Sequence, residues 1–354
     1  MSKWKNIALG EVLTLQRGFD ITKNEQSEGT VPIVSSSGIS SYHNKFKVTG
    51  PGVVTGRKGT LGKVHYISEN YWPHDTTLWI KDYKGNFPRF IYYYLSIMRL
   101  ENYDVGASNP TLNRNHIHKL KILWPLPHIQ RKIAAILSAY DELIENNNRR
   151  IAILEKMAEE IYREWFVRLR FPGHEHTKIV KGVPEGWEIT SMGSIAKFLM
   201  GQSPPSEEYN DKGIGLPFNQ GVGTYGSRFP KKEVYCATKG RIAHKGEILF
   251  SVRAPVGRLN IADCEMIIGR GLCAIHHHKN LQHYMWYLIK NVFSNEDIIG
   301  NGAIYLSVGK DELLNFKIMQ PNENLADLFN QKVKPIDNLI SSLINKNNIL
   351  KSTR

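Results

Sequence analysis

Residues 128–170 read HIQRKIAAILSAYDELIENNNRRIAILEKMAEEIYREWFVRLR, with no Gly or Pro between Pro127 and Pro172. Bulky or apolar residues fall at Ile133, Ile136, Tyr140, Leu143, Leu154, Met157 and Ile161. These are the a and d positions of a heptad, and Leu137, Ile144 and Ile151 widen the stripe. The pattern predicts one helix of roughly 60 Å, at about 1.5 Å per residue. A helix that long cannot bury its own stripe, so it requires a partner.

A partner is legible at the other end of the chain. Residues 324–350 read NLADLFNQKVKPIDNLISSLINKNNIL. At a constant offset Ile133 matches Phe329, Tyr140 matches Ile336, Asp141 matches Asp337, Leu143 matches Leu339 and Leu154 matches Leu350. Asn147, on the first stripe, matches Leu343 and is a candidate register-setting amide. A proline precedes each stretch, Pro125 and Pro321. Pro335 is expected to kink the second helix or to mark its effective start. The predicted helix pair therefore rests on Ile133, Ile136, Tyr140, Leu143 and Leu154 against Phe329, Ile336, Leu339, Leu343 and Leu350.

The parts flanking the central helix also repeat. Trp4, Gly10 and Gly18 recur as Trp187, Gly193 and Gly201 at the same spacing. Gly50–Val64, GPGVVTGRKGTLGKV, parallels Lys245–Leu259, KGEILFSVRAPVGRL. The strand-like runs ending at Ile80 and Ile275, and the aromatic helices RFIYYYL (Arg89–Leu95) and QHYMWYL (Gln282–Leu288), follow in the same order. Short strands with Gly-rich turns dominate each half, and one or two short helices lie near its end, giving an α+β fold twice. The expected domains are 1–126 and 187–321, with helices over 127–170 and 322–354 and a linker over 171–186.

The 354 residues carry 46 Lys and Arg against 33 Asp and Glu, a net charge of +13. The central helix is nearly balanced, so the surplus sits in the flanking domains. That distribution suits a polyanion, most simply nucleic acid. Three cysteines, Cys236, Cys264 and Cys273, form no C-x-x-C pair and point to a reducing cytoplasm. There is no leader-like opening and no run near the ~18 apolar residues of a membrane span, so no membrane association is expected. His276, His277 and His278 read as a polar loop after the strand ending at Ile275, and no metal site is expected.

Neither a phosphate-binding G-x-x-x-x-G-K-[ST] loop nor an Asn/Asp-Pro-Pro-Tyr/Phe methyltransferase element occurs, so no catalytic residue is nominated. What the sequence does carry are polar side chains on rigid turns. Arg57, Lys58 and Lys63 occupy a Gly-rich turn, and Arg253 and Arg258 the equivalent turn of the second half. Arg17 and Gln202 follow the repeated Trp/Gly framework. Gln220 and Arg228 lie in a Gly-rich loop, and Asn113 and Arg114 late in the first half. Arg, Asn and Gln are the side chains that discriminate bases in the major groove, and Arg and Lys also take phosphates.

With Trp4 and Trp187 opening the halves, PEGW at Pro184–Trp187, and IQRKIAAILSAYDELIENNNRRIAILEKMAEEIYREWF between them, the chain resembles the DNA-specificity subunits of type I restriction–modification systems over its whole length. The resemblance implies two target-recognition domains that read the halves of a split, asymmetric DNA sequence. Two long antiparallel helices, paired as a coiled coil, would set the spacing between the half-sites. It further implies docking of two copies of a methylation subunit, which would hold S-adenosylmethionine, and of a separate restriction and translocation subunit. This chain itself would bear no cofactor. One departure is expected to weaken the second docking surface: the second helix has no counterpart of Glu159–Phe166.

Overall fold

The computed structural model describes residues 4–106, 110–294 and 307–354. The chain divides into two units, 1–145 with 350–354, and 146–349, so the boundary falls inside a helix.

The first unit contains β1 (Trp4–Ala8), α1 (Leu9–Val12), β2 (Thr14–Arg17), β3 (Val31–Ser35), β4 (Gly38–His43), β5 (Gly52–Gly56), β6 (Val64–Ile67), β7 (Trp72–Pro73), β8 (Thr77–Asp82), α2 (Pro88–Ile97), α3 (Arg114–His118) and β9 (Lys121–Pro125). The long helix α4 (Pro127–Tyr162) starts here. One sheet has the order β2-β8-β5-β6 and a second β4-β3-β7, while β1 pairs with β9. Strands β3 and β7 are parallel, and the other pairings are antiparallel. The core gathers Leu9, Leu15, Val53, Leu78 and Ile80 with Phe90, Ile91 and Leu95 of α2.

The second unit repeats the plan: β10 (Ile179–Val180), β11 (Val183–Pro184), β12 (Glu188–Ser191), α5 (Met192–Ile195), β13 (Ala196–Met200), β14 (Tyr209–Asn210), β15 (Leu216–Asn219), β16 (Tyr235–Cys236), β17 (Ile242–Ala243), β18 (Ile248–Ser251), β19 (Leu259–Ile261), β20 (Met266–Ile268), β21 (Leu272–His277), α6 (Gln282–Ser294), α7 (Lys310–Asn315), β22 (Lys317–Gln320) and α8 (Glu323–Thr353). Its sheets are β13-β21-β18-β19 and β14-β16-β15-β20-β17, and β12 pairs with β22. Strand β21 runs on through His277, which is buried and not in a loop; burial pushes its imidazole down to about 4. The fold is thus α+β with a doubled domain and two long helices.

The repeated glycines have a steric cause. A Cβ on Gly18 would lie 2.1 Å from the His74 carbonyl oxygen, and one on Gly201 would lie 2.2 Å from that of Gly269. Each strand end crosses a turn too closely for any side chain.

The helices correct the expected seam. Within the second unit α4 and α8 run antiparallel: Asn147 Nδ2 donates to Asn347 Oδ1 at 2.9 Å, while Tyr162 packs against Phe329. The buried or half-buried positions there are Asn147, Ile151, Leu154, Ala158 and Ile161 on α4 and Val333, Ile336, Ile340, Leu343 and Asn347 on α8. In α4 the predicted line through Tyr140, Asn147, Leu154 and Ile161 is buried or half-buried, while the other predicted line, Ile136, Leu143 and Met157, gives way to Leu137, Ile144, Ile151 and Ala158, one residue along. Ile136 is 61% exposed and Leu143 54%, and on α8 Leu339 is 39% exposed, so these three do not form the pair. Ile133 packs on the first unit's domain core, Tyr140 is half-buried, and Leu350 is half-buried in the residues counted with that unit.

Pro335 does not start α8, which runs through it. The residue is exposed, between buried Val333 and Asp337. The Glu159–Phe166 segment turns its aromatic side chains inward. Here α4 passes into a π-helical turn, Arg163–Val167, and Tyr162, Trp165 and Phe166 enter the second unit's core beside Trp187 and Phe329.

Candidate nucleic-acid interface

In the first unit the Gly-rich turn between β5 and β6 closes on itself through Gly56 N to Lys63 O (2.9 Å) and Gly62 N to Gly56 O (3.2 Å). The turn between β7 and β8 lies against it. The Arg57 and Lys58 amides both donate to the Thr76 carbonyl, at 2.8 and 3.0 Å, and Arg57 Nη1 reaches Asp75 O at 3.3 Å. Arg17, at the end of β2, is held over the same turn by Asp75 Oδ2 and Asp20 Oδ1, both at 3.0 Å. A third segment joins where Leu112 N donates to Arg57 O at 2.9 Å. Asn113 then caps α3, accepting from Asn115 N at 2.9 Å, and Arg114 is exposed beside it. Arg17, Arg57, Lys58, Asn113 and Arg114 are thus gathered around residues 74–76. Lys63 leaves the far side of the turn and donates to Ser37 O at 2.9 Å.

The second unit uses the same frame. Val252 N donates to Gly271 O as Arg57 N does to Thr76 O, and Val308 N to Val252 O as Leu112 N does to Arg57 O. Gln202 N bonds Ile268 O, the counterpart of Phe19 N to Pro73 O. Gln202, Gln220 and Arg253 are exposed around the turn at residues 269–271. Arg258, also exposed, closes the β18–β19 turn through its amide to Ser251 Oγ at 2.8 Å.

Arg228 is the exception and a correction. It is 2% exposed, so it cannot face a ligand outside the unit. Its Nη2 lies 2.5 Å from Asp337 Oδ1 of α8, and the guanidinium stacks 4.9 Å from the Trp286 ring centroid. Asp337 also accepts from Tyr287 OH at 2.8 Å and pairs with His283 Nδ1 at 2.6 Å. Burial alone would raise the Asp337 carboxyl, but the His283 hydrogen bond and the Arg228 charge hold it below its ordinary value.

The first unit has the counterpart. Asp141 of α4 accepts from Tyr93 OH of α2 at 2.6 Å and pairs with Arg354 Nε at 3.0 Å; Arg89 Nη2 stands 3.6 Å away. Amides on the same long helices cap the aromatic helices: Gln130 Oε1 accepts from Phe87 N, and Asn330 Oδ1 from the His283 and Tyr284 amides. Each carboxylate ties its long helix to the aromatic helix of the same unit. Sequence comparison pairs Asp141 with Asp337 but gives neither a role; two charges on partly apolar helix faces, each aligned with the other, were the available signal.

A family model described as type I restriction modification DNA specificity domain matches residues 1–156 and again 184–351. The chain belongs to this family. The putative type I restriction enzyme MjaX specificity subunit of Methanocaldococcus jannaschii is 33% identical over 240 residues, covering 66% of this chain and 56% of that protein. The MjaIX specificity subunit of the same organism is 26% identical over 273 residues, 71% of this chain and 63% of the relative. The matches therefore span less than two thirds of those relatives. The fold is similar to the crystal structure of a type I restriction-modification S subunit from M. genitalium, with a TM-score of 0.62 at 18% identity, covering 98% of this chain and 94% of that one. Among the described residues no helix of this family member is long and apolar enough to cross a membrane.

Proposed function

We propose that the chain is the DNA-reading subunit of a type I restriction–modification complex and performs no reaction of its own. One observation carries the reading: a single hydrogen-bonded frame, built twice, carries different side chains at equivalent turns. Arg57 in one unit stands where the other has Val252, and Lys58 where it has Arg253. A shared frame with different contents suits two readers of one polymer that recognise different sequences. Each unit reads one half of a split double-stranded DNA target, and the helices between them set the separation of the halves.

The outward faces of the helices suit protein partners. Ile136, Leu143, Ile153 and Met157 of α4 are 61, 54, 66 and 44% exposed, and Leu339 of α8 adds to the apolar positions left open. Two methylation subunits, each carrying S-adenosylmethionine, dock there, and a restriction and translocation subunit joins the complex. Replacing both Ile136 and Leu143 with Asp is expected to lower the number of methylation subunits retained in a purified complex. Unchanged composition would exclude this face.

The decisive experiment is a modified-base map of DNA from cells expressing the chain with its methylation partner. Adenine methylation at a split motif, dependent on this chain, is expected. No chain-dependent methylation with a demonstrably active partner would overturn the reading.

A further inference from the structure

The turn between β20 and β21, Gly269-Arg270-Gly271, has a construction that basic loops in general lack. Gly269 N bonds Asn219 O at 2.8 Å and Gly271 N bonds Gln220 O at 3.2 Å. Arg270 N bonds Ser203 Oγ at 3.2 Å, and Gly271 O accepts from Val252 N at 2.9 Å. A Cβ at position 271 would stand 2.6 Å from Gln220 O, so the two loops touch backbone to backbone. The main chain of Arg270 is therefore held from three directions. Its side chain is exposed and, among the described residues, has no hydrogen-bond or ion-pair partner. A guanidinium on a rigid base, free at its tip, is preorganised for a ligand that lies outside.

The first unit provides an independent reason to assign it. The frame places Asp75 where the second unit has Arg270, and Arg17 where it has Met200. Asp75 draws Arg17 over its turn at 3.0 Å. Arg17 and Arg270 thus bring a guanidinium to the equivalent turn of each unit, from the strand end in one and from the turn itself in the other, beside Arg57 in the first unit and Arg253 in the second. Beside Arg270 the exposed neighbours include Arg253 and also Gln202 and Gln220, amides of the kind that read adenine edges. An arginine among such side chains matches the paired O6 and N7 acceptors of guanine.

We infer that Arg270 is a specificity-determining residue, contacting a guanine in the half-site read by the second unit. This rests on the chain being a DNA reader. The test is the modified-base map repeated with Arg270→Ala and Arg270→Lys in the full chain with its methylation partner, together with thermal melts of both variants. Because the side chain is exposed, melting is expected to be unchanged. The Ala variant is expected to relax one guanine position in one half of the motif, by roughly fivefold to a hundredfold in relative methylation. The other half and the spacer stay as they were. The Lys variant keeps the charge but loses the fork, so it is expected to relax the same position with a smaller loss of total methylation.

An unchanged motif with Ala overturns the assignment, as does uniform loss of methylation at every site, which marks a phosphate contact. So does full retention of guanine preference by Lys. Absence of a split motif with the unaltered chain would instead overturn the DNA-reading function, and this assignment with it.

Discussion

Asp141 and Asp337 occupy equivalent places, yet their surroundings differ. Asp141 keeps 21% of its side chain exposed and pairs with Arg354, itself 32% exposed. Asp337 is 3% exposed and takes a guanidinium, an imidazole and a phenol. The same carboxylate on the same frame is a solvated clamp in one unit and a buried junction in the other. Geometry was kept through the repeat, while energetics were not. Removing one member of a buried, hydrogen-bonded charge group leaves the others without compensation, whereas a solvated pair is replaced by water.

The largest expected effect is therefore Asp337→Ala, which leaves Arg228 buried and unpaired and should cost the second unit about 3–5 kcal/mol in urea unfolding. Asp337 has a depressed folded pKa, so its stabilisation is present above the ordinary carboxylate value near pH 4 and is lost as the pH falls through the folded value. Asp337→Asn should accordingly flatten the fall in stability on acidification; a fall as steep as that of the unaltered chain would count against this account. Next comes Asn147→Ala, which takes the donor from Asn347 in the seam and should cost about 1–3 kcal/mol by the same measurement. The smallest is Asp141→Ala, expected to cost roughly 1 kcal/mol because its partners are partly solvated. Equal losses for the two aspartates would break the comparison.

Legibility from sequence followed repetition. The doubled frame was readable because its glycines recur at the same spacing, although what they meet, His74 for Gly18 and Gly269 for Gly201, lies far along the chain. The long helices were readable from their period, and one line of the seam with them, but the second line was placed one residue off. Ile136 with Leu137, and Leu143 with Ile144, put apolar residues on both sides of the line, and only the tertiary partner decides between them. Arg228 looked like a reader because a Gly-rich loop hides where its side chain goes; Asp337, 109 residues away, captures it. Arg270 was passed over because a lone arginine between glycines has no periodic signal. The burial of the aromatic residues in the terminal EIYREWF run was not legible because their partners, Trp187 and Phe329, come from later in the chain.

The amide ladder in the seam has a consequence for how the helices find one another. Asn347 accepts from Asn147 and donates to Asn148, each at 2.9 Å. The apolar steps around it repeat about every seven residues, so they would tolerate a slip of one repeat. Such a slip would set Asn147 opposite Ile340 and strand the amides in an apolar groove. The ladder behaves as a key cut for one notch: a mispairing of the helices by one repeat leaves its amides unmatched.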